Sequence, residues 1–199
     1  MAITNGYATL VQVKGALRIT DNVDDTLLEM AIESASRLID GYTYRYFYNA
    51  GTATRDFVAS DSYLVIIDDL ISLSELKATD EIGSTYVTWG TADYQLRPVN
   101  GKQDGLTVPY TSILSTDDLL FNILGEQALV RVTGVWGWSA VPIAVTQATI
   151  IQASRIYKRL DSPLGVAGFG DLGAIRVGRA LDPDVEQLVM PYRIMRTFS

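Results

Sequence analysis

Residues 24–48 read DDTLLEMAIESASRLIDGYTYRYFY, and the fold of the chain follows from that run. Leu27, Leu28, Ala31, Ile32, Ala35, Leu38, Ile39 and Tyr42 recur at the i, i+3, i+4, i+7 spacing of a helix with one broad buried face. Asp24 and Asp25 stand where an N-cap and a first-turn anion belong, next to free backbone N–H groups and the positive end of the helix dipole. Gly41 is predicted to end the helix in a left-handed cap. An aromatic cluster follows: Tyr42, Tyr44, Tyr46, Phe47 and Tyr48. None of these groups is chemically reactive. A stretch built for packing points to an assembly part rather than an enzyme.

Before this helix, residues 10–17 form a short helix capped by Thr9, with Leu10, Val13 and Leu17 on one face. The turn RITDNV, residues 18–23, joins the two into an αα-hairpin. From Gly51 the period changes. Residues 54–58, 63–67, 73–78, 85–89, 94–96 and 128–136 are short β-branched or aromatic runs separated by Asp, Gly, Ser and Asn, and are predicted to be antiparallel strands. Residues 98–122 lack a period and are predicted to be loop. A second long helix starts at Pro142 and runs to Leu160, with Arg155, Lys158 and Arg159 near its C-terminal end. After it come a glycine-rich stretch (residues 161–173, DSPLGVAGFGDLG), a short strand at 175–177, and a last helix opened by Asp182-Pro183 and stopped by Pro191. The predicted class is α+β. A helical bundle core, made of the αα-hairpin and the long C-terminal-half helix, occupies residues 1–50 and 136–199. An antiparallel β-rich insertion fills residues 51–135.

Composition narrows the function. With 199 residues, 48% apolar and 20% charged, the chain can bury a large core. No apolar run approaches the ~20 residues of a membrane span, and MAITNGYATL has no secretory signal pattern. Cysteine and histidine are both absent. That excludes disulfide support, Ser-His-Asp and Cys-His catalysis, and histidine-ligated zinc. The net charge of −7 is uneven: residues 1–50 carry −2, residues 51–140 carry −7 and residues 141–199 carry +2. An acidic body argues against general nucleic-acid binding, while the basic end suits an acidic partner.

Each candidate site has a plainer account. The acidic pairs Asp24/Asp25, Asp68/Asp69, Asp117/Asp118 and Asp182/Asp184 could hold a cation or act as an acid–base couple. Capping explains two of them, the other two lie in turn-like sequence, and none has calcium-loop spacing. The glycine-rich stretch follows a helix and lacks both phosphate-loop signatures. The aromatic cluster could stack bases, but its flank is acidic, so packing in the core and at a subunit interface through Tyr44, Tyr46, Phe47 and Tyr48 explains it better. The sequence predicts no catalytic residue, metal site or cofactor.

The order of the parts is itself a signature: TLVQVKGALRI, DDTLLEMAIESASRLIDGYT, a strand-rich middle, VTGVWGW, a Pro-led helix, a glycine-rich loop and DPDVEQLVMPYR. In this order the chain resembles the head–tail connector (adaptor) proteins of long-tailed bacteriophages, most strongly over residues 10–44 and 132–193. The resemblance implies a ring beneath the portal, usually of twelve subunits, that extends the DNA channel and offers a platform to a downstream neck or tail-completion protein. Genomic DNA would pass through without specific binding, and no membrane is involved. The location implied is the neck of the virion, after assembly in the host cytoplasm. By the same resemblance residues 175–199 reach the portal, with Arg176, Arg179, Tyr192, Arg193, Arg196 and Phe198 as docking residues. The segment after Pro191 is short and shows no reason to fold back on the body. The shortest members of the family are almost wholly helical, so the strand-rich residues 51–135 depart from it. Two other classes fit less well: a tail-completion or tail-terminator protein, which would not bind portal, and a carboxylate-dependent metal enzyme, which would gather acidic pairs in one pocket.

Overall fold

The computed structural model describes residues 3–103, 105–116, 119–160, 166–168, 174–176 and 181–194, with backbone only at 160, 166–168 and 174–176. The fold is α+β. It divides into two units: Met1–Phe47 with Val141–Ser199, and Tyr48–Ala140.

In the first unit, α1 (Leu10–Leu17) opens with a capping box. The Gln12 N–H donates to the Thr9 hydroxyl oxygen (3.2 Å) and the Thr9 N–H donates back to Gln12 Oε1 (2.8 Å). Arg18 closes it in the left-handed region (φ 59°). The next helix, α2 (Asp25–Thr43), buries Leu28, Ala31, Ile32, Ala35, Ser36, Ile39, Asp40 and Thr43. Asp24 and Asp25 hold the N-cap and first-turn positions that the sequence predicts, but the bonds they make and the C-terminal end both differ from expectation. Asp24 makes no capping bond; its carboxylate accepts instead from the Tyr157 hydroxyl at 2.6 Å, while Asp25 pairs with Lys14 of α1 at 2.6 Å. Gly41 lies inside the helix, and the left-handed cap is Tyr44 (φ 58°). The extra half-turn has a reason: Thr43 is fully buried and its hydroxyl donates to the Ile39 carbonyl at 2.8 Å, so burial continues past the glycine. The helices α3 (Ile143–Leu160) and α4 (Pro183–Val189) complete the unit, α4 capped by Asp182, whose carboxylate also accepts from Arg155. Val13, Leu28, Ala31, Ile32, Ala35 and Ala153 form one apolar cluster from α1, α2 and α3, flanked by Ile150, Ile156 and Tyr157. Three alanines there let the helix axes approach, and each fully buried Leu or Ile is worth about 1.5–3 kcal/mol. Val166–Gly168 pairs antiparallel with Ala174–Arg176 in a two-stranded ribbon.

The second unit is an antiparallel sheet of β1 (Asn49–Phe57), β2 (Leu64–Ala78), β3 (Val87–Thr88), β4 (Tyr94–Arg97), β7 (Tyr110–Ser115) and β8 (Val130–Gly137); β5 (Lys102–Gln103) and β6 (Leu106–Thr107) form a separate small ribbon. The strand order is β1-β8-β2-β7-β4, with β3 paired to the far end of β2. The runs 63–67 and 73–78, expected as two strands, are one continuous β2. Residues 98–122, expected as loop, contain β5, β6 and β7. On β8 the alternation turns Val130, Val132, Gly134 and Trp136 inward. Gly134 is required by packing, since a Cβ there would lie 2.3 Å from the Ser72 carbonyl oxygen. Trp136 is fully buried, donates its indole N–H to the Ala53 carbonyl at 2.8 Å, and carries the Arg55 guanidinium 4.4 Å from its ring. Trp89 stacks on Phe121 with centroids 4.5 Å apart.

Candidate assembly surface

The end of α2 and the segment after α4 meet. Phe47 is fully buried, with the rings of Tyr7 and Tyr192 each edge-on to it at 5.6 Å. The Ile194 N–H donates to the Thr43 carbonyl at 2.9 Å, and the Arg193 guanidinium lies 5.0 Å from the Tyr42 ring centroid. The expectation that nothing after Pro191 folds back is therefore corrected: Tyr192, Arg193 and Ile194 are tied to the last turn of α2. The driving force is the burial of two aromatic rings against each other, each a large apolar area.

A polar network sits beneath these rings. The Tyr7 hydroxyl donates to Asp40 Oδ1 and accepts from the Phe47 N–H at 2.9 Å. The Tyr7 N–H donates to the Ser36 hydroxyl at 3.1 Å, and that hydroxyl donates to the Ile32 carbonyl at 2.8 Å. Arg37 pairs with Asp40 Oδ2 at 2.8 Å and lies 5.6 Å from the Tyr7 ring centroid. Burial pushes the Asp40 carboxyl above the usual carboxylate range, with the Tyr7 hydrogen bond and the Arg37 charge pulling the other way. Burial, then the neighbouring Asp40, raises the Tyr7 hydroxyl, which stays protonated. This is a fastening, linking residues 33 and 40 positions apart in the sequence.

Of the expected interface residues, Tyr44 and Tyr46 are exposed (43% and 60%), Tyr48 is half-buried and Phe47 faces the interior. Of the expected docking residues, Tyr192 is buried and Arg193 exposed. Arg179, Arg196 and Phe198 lie outside the described residues, as do the side chain of Arg176, the pair Asp117/Asp118 and most of the glycine-rich stretch. The other acidic pairs have partners within the fold. Asp68 pairs with Arg55 at 2.6 Å, and Asp69 accepts from the Trp138 indole N–H at 2.8 Å. Among the described residues no three acidic side chains gather into a metal-binding group, and no helix is long and apolar enough to cross a membrane. The sequence reading missed Tyr7 and Asp40, because a long-range hydroxyl–carboxylate bond leaves no local pattern.

A helix pair of this build, leading straight into the long first strands of a sheet, has a counterpart among known proteins. Residues 7–83 match the family model of phage gp6-like head-tail connector proteins. The matched connector segment spans α1, α2, β1 and β2, and it bears out the resemblance read from the sequence. The whole chain is also similar to a chain from the neck of an empty gene transfer agent particle computed with C6 symmetry. That likeness has a TM-score of 0.57 at 18% identity and covers 100% of this chain and 95% of the other. A chain from the virion of a native gene transfer agent particle is similar over the same shares, with a TM-score of 0.56 at 18% identity. At that identity the likeness is one of fold alone, and it takes in the sheet and the C-terminal helices as well as residues 7–83. No curated protein matches the chain.

Proposed function

We propose that this protein is a structural subunit of a phage-type neck: a head–tail connector whose copies form a ring beneath the portal, extend the DNA channel and join capsid to tail. The observation that carries this reading is the connector-family match at residues 7–83 combined with a likeness of fold, over the full length, to a chain of a gene transfer agent neck. The helices packed around α2 act as the bundle core of the ring subunit, and no catalysis is required of any residue. The charge distribution supports a channel role. Residues 48–140 carry five basic and twelve acidic groups, so the sheet unit holds the whole net charge of −7. Such a surface repels phosphate and lets DNA slide past.

In this reading the C-terminal end docks on the portal through Arg176, Arg179, Arg196 and Phe198, with Tyr192 and Arg193 fixing the root of the segment. Tyr44 and Tyr46 belong to the contact between subunits, with Phe47 and Tyr48 as its backing. Co-sedimentation of the full chain with purified portal rings tests the proposal. Saturable binding followed by imaging of a ring on the portal supports it. Failure to bind portal, with binding to tail tubes instead, would identify a tail-completion or terminator protein.

A further inference from the structure

One apolar surface is left unexplained by the fold. Residues 119–124 read LLFNIL, and only Phe121 turns inward, onto Trp89. Leu119, Leu120, Ile123 and Leu124 are 41–51% exposed, and Ile82, two residues on from the Asp80 to which Asn122 bonds, is 71% exposed. The loop is held in shape. The Phe121 N–H donates to the Ser62 carbonyl at 2.8 Å, the Asn122 side-chain amide to the Asp80 carbonyl at 3.1 Å, and the Ser115 hydroxyl to the Leu119 carbonyl. Consecutive apolar side chains on a fixed loop, rather than scattered ones, mark a surface meant to be covered. Its exposed rim is acidic: Asp80, Glu81 and Glu126.

The other unit carries a surface of opposite character. Tyr44, Tyr46 and Met190 are exposed there, Met190 by 63%. Residues 41–47 and 190–194 contain Arg45 and Arg193 and no acidic group. We propose that these two surfaces are the two halves of one contact between neighbouring copies: the LLFNIL loop of one chain seats on the Tyr44–Tyr46 side of the next. The apolar centres match and the rims are complementary, with acid against the exposed Arg193. Because the two halves are different surfaces, the contact is heterologous, and repetition around an axis closes it into a ring. The inference rests on the connector reading and gives it a specific joint.

The chain has no cysteine, so introduced thiols report the contact without background. Ile123→Cys and Tyr46→Cys are made separately in the full chain, and particles are produced from cells expressing each alone or both together. After mild oxidation, the mixture is expected to give a cross-linked dimer on a non-reducing gel, while each variant alone stays monomeric. Dimers from Ile123→Cys alone would mean a twofold contact and overturn the proposal. Particles that contain the chain without the cross-link overturn the contact and leave the connector reading standing; a chain absent from particles overturns both. As a second measurement, Leu120→Asp with Ile123→Asp is expected to weaken self-association on the order of a hundredfold with an unchanged melting temperature. Undiminished association by a folded double variant refutes the joint.

Discussion

Tyr7 shows how much one residue can decide. Its hydroxyl sits between the Asp40 carboxylate and the Phe47 N–H, and its ring supports Phe47. Tyr7→Phe keeps the ring but leaves two buried polar groups without this partner, so urea denaturation should show a loss of about 1–3 kcal/mol. Phe47→Ala should cost more, about 3–5 kcal/mol, because it empties the space between two rings. The network also sets a pH dependence. Folded Asp40 keeps its proton above the pH at which the unfolded chain releases it, so stability falls as pH rises through that interval. In Asp40→Asn that fall is absent, and the stability of the variant relative to wild type should climb as pH rises above the ordinary carboxylate range. Asp56 has the opposite sign. The hydrogen bond from Arg131 holds its carboxyl below the usual range, so its contribution is present at neutral pH and lost in acid. The deficit of Asp56→Asn should therefore close as pH falls.

At the scale of elements, the helices obey local rules that mutation can read. Thr9→Ala breaks the capping box of α1 and should cost about 1 kcal/mol. Arg18 is exposed with a left-handed backbone, so Arg18→Gly should stabilise by about 1 kcal/mol by relieving the Cβ clash. Thermal melts of the two variants should shift in opposite directions. The same rules explain what the sequence made legible. The Thr9 cap, the spacing from Leu28 to Ile39, and Asp182-Pro183 each carry their signal within a few residues. The long β2 was not legible because Asp68-Asp69 reads as a turn. In the fold Asp68 points to Arg55 and Asp69 to the Trp138 indole, partners supplied by distant strands. The strand β7 was hidden for a similar reason: YTSILS is bounded by Pro109 and Thr116 and becomes a strand only by pairing with both β2 and β4. At the candidate surface, the aromatic cluster was visible as a composition. Which ring turns inward was decided by Tyr7 and Tyr192, far away in the chain.

At the scale of the molecule, charge and chain path separate the two units. The helical unit has eleven basic and eleven acidic residues and is neutral, so the docking proposed for its C-terminal end depends on where its arginines stand and not on net charge. Deleting residues 195–199 keeps Tyr192 and Ile194 in place and should leave the melting temperature unchanged while abolishing co-sedimentation with portal rings. In the intact chain, added salt should weaken that binding, because rim charges are screened over ~8 Å at physiological ionic strength. The chain path holds a further consequence. Asn49 and Gly137 are partners in the sheet, and the Trp138 N–H donates to the Tyr48 carbonyl at 3.1 Å, so the sheet unit begins and ends at a single doorway. Ends about 5 Å apart close at little entropic cost. Joining residue 47 to residue 141 through a few glycines should excise the unit cleanly. The excised piece, its termini already side by side, can be circularised or grafted as a cassette into another helical scaffold.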